Sequence, residues 1–309
     1  MKNNVKPFLK WAGGKTQLLP QLSPVFPERL DKYDTFIEPF VGGGAVLFHI
    51  LCCYPNIKNV VINDINPKLI TTYIAVKEKR QELISYLNEL QNEYWQLSPE
   101  EQKRFYLHKR ERFNLKGLCL VEQASLFIFL NKTCFNGLYR VNKKGEFNVS
   151  FGKHRKPLIC NDRLISQASE QLQKVNIMWG DYANIVGCLQ GRSFIYFDPP
   201  YRPVSQTSDF TSYSTNGFDD TQQKRLSAFC RFLDFESKWM MSNSCTVDDD
   251  FFKEHYGDFA IRQISARRSI GATTSSRGNI QELLISASKK TPFYFVFVFV
   301  YFFHKNSFY

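Results

Sequence analysis

The fold of this chain is constrained most by the stretch Ser193-Phe194-Ile195-Tyr196-Phe197-Asp198-Pro199-Pro200-Tyr201. Its β-prone apolar run reads as a buried parallel strand, and it stops abruptly at a carboxylate, two prolines and an aromatic ring. Open α/β sheets place their ligands in the crevice beyond the carboxyl ends of such strands. The prolines fix φ and offer carbonyls without competing N–H donors. Asp198 and the prolyl carbonyls can therefore present a row of acceptors in fixed geometry. Such a row suits a substrate that offers N–H groups, such as an exocyclic amine. An ordinary Asp-Pro turn after a strand is the competing reading.

With 309 residues the chain can bury a large core, and one α/β domain with an inserted or appended module is expected. The formal net charge of +11 suggests a polyanionic partner. Residues 103–163 hold fourteen Lys and Arg against four acids, so nearly all the excess lies in one fifth of the chain. The eight cysteines include no CxxC pair, and no His stands at metal-ligand spacing. Reduced thiols and a cytoplasmic location are expected, with no metal site. The N-terminus lacks the apolar core of a signal peptide. The stretch 292–303, Pro292 followed by Phe, Tyr and Val alone, is well short of the roughly 20 apolar residues of a membrane helix, so no membrane association is expected. It reads as a terminal strand or an atypical tail, and as an aggregation hazard if exposed.

Near the N-terminus, Lys10-Trp11-Ala12-Gly13-Gly14-Lys15 pairs glycines with lysines but does not satisfy the phosphate-loop spacing. It reads as an anion or cofactor clamp or as a plain Gly-Gly turn. The stretch Thr35-Phe36-Ile37-Glu38-Pro39-Phe40-Val41-Gly42-Gly43-Gly44 runs from a strand into a glycine cluster, and a helical pattern follows. That is the context of a nucleotide-binding turn. Asp64, twenty residues beyond Gly44 at the end of a second strand, is spaced to accept hydrogen bonds from ribose hydroxyls. This pattern points to an adenosine-type cofactor and does not separate a dinucleotide from S-adenosylmethionine.

Asn66-Pro67 opens a helix that periodicity carries to about Trp95, and a basic helical stretch is expected from about 98 to 131. The alternation around Phe135-Asn136-Gly137-Leu138-Tyr139-Arg140 and Lys143-Lys144-Gly145-Glu146 predicts a β-hairpin. Its interleaved aromatic and basic residues can wedge between bases and neutralise phosphates, although a basic hairpin packed on its own helices is the plainer reading. Strands are predicted near 175–178, 194–197, 238–241, 259–264 and 282–286. The Ser/Thr-rich segment 202–217 is expected to be a lid. Arg262, Arg267, Arg268 and Arg277 form a second basic cluster.

In this order, Lys10-Trp11-Ala12-Gly13-Gly14-Lys15, Glu38-Pro39-Phe40-Val41-Gly42-Gly43-Gly44, Asn63-Asp64, Phe135-Asn136-Gly137-Leu138-Tyr139-Arg140, Gly180-Asp181, Asp198-Pro199-Pro200-Tyr201 and Ser242-Asn243 resemble the Dam-type DNA adenine-N6 methyltransferases of the α class. The resemblance covers about 8–286. It implies a Rossmann-like methyltransferase sheet, mostly parallel with an antiparallel last strand, and an inserted helical-plus-hairpin recognition region. The implied division is a catalytic domain in two parts, 1–75 and 171–288, a target-recognition region at 76–170 and an atypical tail at 289–309. S-adenosylmethionine is the implied cofactor. Trp11, Lys15, Phe40, Gly42 and Gly44 would line its site, with Asp64 on the ribose and Asp181 on the cofactor adenine. Arg140 would read a guanine, Phe135, Asn136 and Leu138 would disturb the base stack, Lys143 would meet a phosphate, and GATC would be the target. Ser150 stands where relatives usually have Pro, and the tail extends beyond the family pattern.

On that reading Asp198 and the Pro199 carbonyl accept the N–H bonds of an adenine flipped out of the helix, and Tyr201 stacks on it. A monomer acting on double-stranded or single-stranded DNA, with a cognate restriction endonuclease acting separately, is the expected arrangement. A nicotinamide-dependent dehydrogenase would leave the Asp-Pro-Pro-Tyr motif and the basic block unexplained. A non-catalytic DNA-binding protein would not need Asp198, and a methyltransferase of RNA or of a protein amide would not need the long insert.

Overall fold

A computed structural model of the chain describes residues 5–202, 218–233, 237–245, 250–267 and 279–287. Seven strands form its sheet: β1 (Thr35–Glu38), β2 (Asn59–Asp64), β3 (Val175–Trp179), β4 (Ser193–Phe197), β5 (Lys238–Ser244), β6 (Ala260–Arg267) and β7 (Asn279–Ser286). Their order is β3-β2-β1-β4-β5-β7-β6. The pairs among β1 to β5 are parallel, whereas β7 runs antiparallel to both β5 and β6. A mostly parallel sheet with an antiparallel last strand was expected, and it is what forms.

The central strands are apolar throughout because the sheet has a core on each face. In β4, Phe194 and Tyr196 enter one core while Ile195 and Phe197 enter the other, and all four are fully buried. Each such side chain contributes about 1.5–3 kcal/mol of transfer free energy, so an alternating polar residue there would be costly. The chain leaves β1 toward β2 and β3 on one side, then returns to β4 on the other. The carboxyl ends of β1 and β4 therefore flank the switch point where a ligand crevice opens.

The long connection between β2 and β3 contains the expected recognition region, 76–170. Asn66 caps helix Pro67–Glu78 by accepting from the N–H groups of Lys68 and Leu69. The expected single helix to Trp95 is two, broken at Lys79, with Arg80–Gln96 turning to bury Leu83, Leu87 and Leu90. The expected basic helical stretch likewise divides. Helix Pro99–Asn114 carries the charge and starts with a Ser98/Glu101 capping box, whereas Leu120–Thr133 is almost wholly buried. Gly117, at φ +78°, lies between them.

The expected hairpin is a true reversal with little ladder. Antiparallel bridges join Val141 to Phe147 and Cys134 to Phe151. The Asn142 carboxamide takes over at the turn, accepting from the N–H groups of Lys144 and Glu146. Helices of the insert share one hydrophobic core with the adjacent sheet face, which joins Phe129 and Leu87 to Phe36 and Tyr196. The tail, the 203–217 part of the expected lid, Arg268 and Arg277 lie outside the described residues.

Candidate active site and nucleic-acid interface

The glycine turn after β1 brings backbone close to three elements. Gly42 and Gly44 have φ of +47° and +74°, the left-handed region in which glycine is unstrained. A Cβ on Gly42 would lie 2.7 Å from the Trp11 indole, and one on Gly44 would lie 2.6 Å from the Tyr73 hydroxyl. That hydroxyl donates to the Gly42 carbonyl at 3.0 Å. Any side chain at either glycine would push the turn off its supports.

Three carboxyl groups stand at the strand ends around this turn. Asp64 accepts from Gly42 N–H at 3.1 Å and from Asn66 N–H at 3.0 Å. Burial pushes its carboxyl up to about 6 against those hydrogen bonds. Glu38 is buried, and burial, followed by the negative charge of Asp198, pushes its carboxyl well above the usual carboxylate range. Its Oε2 has no hydrogen-bond partner among the described residues. Asp198 is pushed up to about 6 by burial, opposed chiefly by Lys15. Lys15, 2% exposed, sets its Nζ 2.8 Å from Asp198 Oδ1 and donates to the Gly13 carbonyl at 2.7 Å. The same ammonium lies 4.8 Å from the centre of the Tyr201 ring.

The Asp-Pro-Pro-Tyr segment is held from outside as well. The Pro200 carbonyl accepts from Gln223, and Gln223 in turn accepts from Asn243. The Tyr201 hydroxyl donates to Glu282 Oε2 on β7 at 2.7 Å. At the switch point the structure thus gathers Lys15, Asp198, Pro199, Tyr201, Gly42, Gly44 and Asp64.

Phe40 is half-buried, its ring 5.4 Å from Tyr182, 5.8 Å from Phe218 and 6.4 Å from Phe197. Asp181 follows β3, caps the turn after it through Ala183 N–H and takes a bidentate ion pair from Arg225 at 2.7 and 2.9 Å. Trp11 lies against Phe127 and Tyr139, nearly parallel to both, so it joins the glycine turn to the insert.

These residues suit an adenosyl sulfonium compound. The orphaned Glu38 Oε2 awaits a donor such as an ammonium, and Asp64 stands where hydroxyl groups can be bound. The Asp64 and Asp198 carboxylates outnumber the one ammonium of Lys15, which suits a cation.

The residues expected to read DNA lie between β2 and β3. Phe135 is exposed, Asn136 sits at φ +55°, and Leu138 is half-buried against the core. Arg140 is exposed but not loose, because its Nε donates to Asn148 Oδ1 at 2.9 Å. Lys143 is exposed at the turn. Asn131 couples the two regions. Its side chain accepts from Lys10 N–H and donates to the carbonyls of Lys10 and Gly137, at 2.8–3.1 Å.

Sequence reasoning missed Asn131, Arg225 and Glu282. Asn131 and Glu282 border apolar runs, Leu126 to Leu130 and Leu283 to Ile285, but each has a second polar neighbour, Lys132 and Gln281, and neither stood out. Arg225, on an amphipathic helix, carried no signal.

Among the described residues no helix is long and apolar enough to cross a membrane. The sequence pattern of the D12 class N6 adenine-specific DNA methyltransferases matches residues 11–270. The type II methyltransferase M.MjaIII of Methanocaldococcus jannaschii is 46% identical over 287 residues, covering 91% of this chain and 98% of that protein. M1.LlaDCHI of Lactococcus lactis subsp. cremoris, also a type II methyltransferase, is 40% identical over 92% of this chain and 96% of its own length. The DNA adenine methylase of Escherichia coli K12 is 34% identical over 92% of this chain and 95% of its own. With motifs, sheet order and full-length relatives in agreement, the chain belongs to the D12 class of N6 adenine-specific DNA methyltransferases.

Proposed function

We propose that the protein transfers a methyl group from S-adenosylmethionine to the N6 amine of an adenine flipped out of double-stranded DNA, in the sequence GATC. The observation that carries the reading is the ion pair between the buried Lys15 and the half-buried Asp198, 2.8 Å apart, beside the glycine turn at the sheet's switch point. S-adenosylmethionine, when bound, supplies an electrophilic methyl on a sulfonium.

Adenine's exocyclic nitrogen is a poor nucleophile because its lone pair is delocalised into the ring. The Asp198 carboxylate and the Pro199 carbonyl accept its two N–H bonds, which favours a tetrahedral nitrogen and directs the lone pair away from the ring. Charge-assisted bonds of this kind are the stronger ones. Positive charge grows on the nitrogen as the methyl arrives, so a fixed carboxylate beside it is electrostatic preorganisation. Lys15 holds that carboxylate in place, and Tyr201 provides the face on which the base stacks.

Glu38, Asp64, Asp181 and Phe40 hold the cofactor with Trp11, Gly42 and Gly44. Arg140 reads a guanine edge, Phe135, Asn136 and Leu138 part the stack, and Lys143 neutralises a phosphate. The recognition region 76–170 thus serves a catalytic domain made of 1–75 and 171–288, and the protein acts on DNA as a monomer in the cytoplasm. The type II names of two relatives favour a modification role beside a separately acting restriction endonuclease.

Asp198→Ala should abolish transfer of tritiated methyl while leaving DNA binding largely intact, and retained transfer would overturn the role of Asp198. Mapping modified adenines after expression in a methylation-free host tests the target sequence. Methylation centred on another sequence would exclude GATC.

A further inference from the structure

We propose that Glu282 is a positioning residue for methyl transfer, holding Tyr201 through its hydroxyl so that the ring and the Asp198 carboxylate form one rigid unit. The inference rests on the reading of Tyr201 as the face under the target adenine.

Glu282 stands on β7, opposite Ser244 on β5 and Ile264 on β6. It is 6% exposed, and Leu283, Leu284 and Ile285 follow it into the cores. A carboxylate is costly in such a place unless a polar partner compensates it. The partner is the Tyr201 hydroxyl, which donates to Glu282 Oε2 at 2.7 Å, a charge-assisted hydrogen bond.

From Tyr201 the contacts continue to the reacting group. The ring faces the Lys15 ammonium at 4.8 Å, and that ammonium is 2.8 Å from Asp198. Backbone joins Asp198 back to Tyr201 through two prolines of fixed φ. Gln223 fixes the backbone through the Pro200 carbonyl, and Glu282 fixes the far end of the Tyr201 ring. The antiparallel strand β7 thereby acquires a part in the chemistry, since it is the element that brings this acceptor to the Asp-Pro-Pro-Tyr segment. A platform that tilts would carry the flipped base away from Asp198, and small misplacements of reacting groups are expensive in rate.

The test compares Glu282→Ala, Glu282→Gln, Tyr201→Phe and the Ala/Phe double variant. The readouts are kcat, cofactor affinity, melting temperature and the fluorescence of 2-aminopurine placed at the target adenine. Glu282→Ala should lower kcat by about tenfold or more with cofactor affinity nearly unchanged. Tyr201→Phe, which keeps the ring and deletes the hydroxyl, should give the same loss, and the double variant should be no worse. Glu282→Gln still offers an oxygen to the phenol and should restore most of kcat. Should Glu282→Ala fail to fold, Tyr201→Phe and Glu282→Gln carry the comparison.

A wild-type kcat in Glu282→Ala or in Tyr201→Phe overturns the proposal. Losses that multiply in the double variant, or a lowered melting temperature with unchanged kcat, also do so. Tyr201→Ala separates the two levels. If it leaves kcat and the fluorescence response intact, the platform reading itself falls. If it abolishes both while Glu282→Ala does nothing, only the role of Glu282 falls.

Discussion

At the residue scale the proposed mechanism turns on whether Asp198 is charged. Its carboxyl is pushed up to about 6, mainly by burial, and must be ionised to accept the amine with full strength. Activity should therefore fall as pH drops through about 6 and not through the ordinary Asp value of about 4. A profile of kcat/KM for DNA, at saturating cofactor, should show an acidic limb of unit slope near that pH. A limb near pH 4 would mean that Asp198 is better solvated than the structure shows. The linkage runs the other way for stability. A carboxyl whose folded pKa is raised favours folding when protonated, so Asp198 and Asp64 cost stability as pH rises from about 4 to about 6, and that cost persists above. On the proposed reading, recognition divides between Arg140 and Lys143. Asn148 holds Arg140 in a fixed pose, so Arg140→Ala should lose about 1–3 kcal/mol of discrimination at one base pair. Lys143→Ala should weaken matched and mismatched sites alike and reduce the salt slope by about 1. Competition binding with singly substituted duplexes distinguishes them. The residues legible in sequence were those whose chemistry is local, as in Asp198-Pro199-Pro200-Tyr201. Glu282 and Asn131 find their partners 81 and 121 positions away, a distance over which one chain shows no pattern.

At the scale of elements, strand ends were legible because each apolar run stops at a polar residue or glycine, as β2 does at Asn63-Asp64. Asn63 also ties the strand tips together, donating to the carbonyls of Pro39 and Gly180. The hairpin was legible as a reversal and not as a loosely bridged one. The Asn114 carboxamide, at the end of an earlier helix, accepts from Phe147 N–H and donates to the Phe147 carbonyl, replacing a strand partner. Alternation in the hairpin could not report a ladder that another element supplants. Helix Asp220–Leu233 does something comparable at the proposed cofactor site, where Arg225 takes both oxygens of Asp181 and lies over the Tyr182 ring at 4.8 Å. Arg225→Ala should free this carboxylate to rotate. The pair is partly exposed, and such pairs are worth about 1 kcal/mol or less, so cofactor affinity should drop no more than about fivefold with kcat nearly unchanged. Calorimetric titration with S-adenosylhomocysteine measures this directly. A large fall in kcat at saturating cofactor would show that Arg225 acts on the chemistry instead.

At the scale of the whole molecule, the region expected to recognise DNA shares its hydrophobic core with the sheet. Phe127, Phe129 and Leu130 of helix Leu120–Thr133 belong to the same cluster as Phe36, Ile62 and Tyr196 of the sheet. Asn131 fastens the same helix to Lys10 and to Gly137. Lys132, whose amine burial lowers to about 8, donates to the Phe8 carbonyl beside it. A region with its own separate core could melt alone, whereas one sharing its apolar contacts with the sheet loses them together with the sheet. Scanning calorimetry should therefore show one transition, although the charge pattern alone would suggest two units. S-adenosylhomocysteine at a hundred times its dissociation constant should stabilise that single transition by about 2.7 kcal/mol. Because the insert shares the transition, hydrogen exchange in helix Arg80–Gln96 should slow on binding as it does in the sheet. Two resolved transitions, with only one moved by the ligand, would show that the shared core does not make the molecule cooperative.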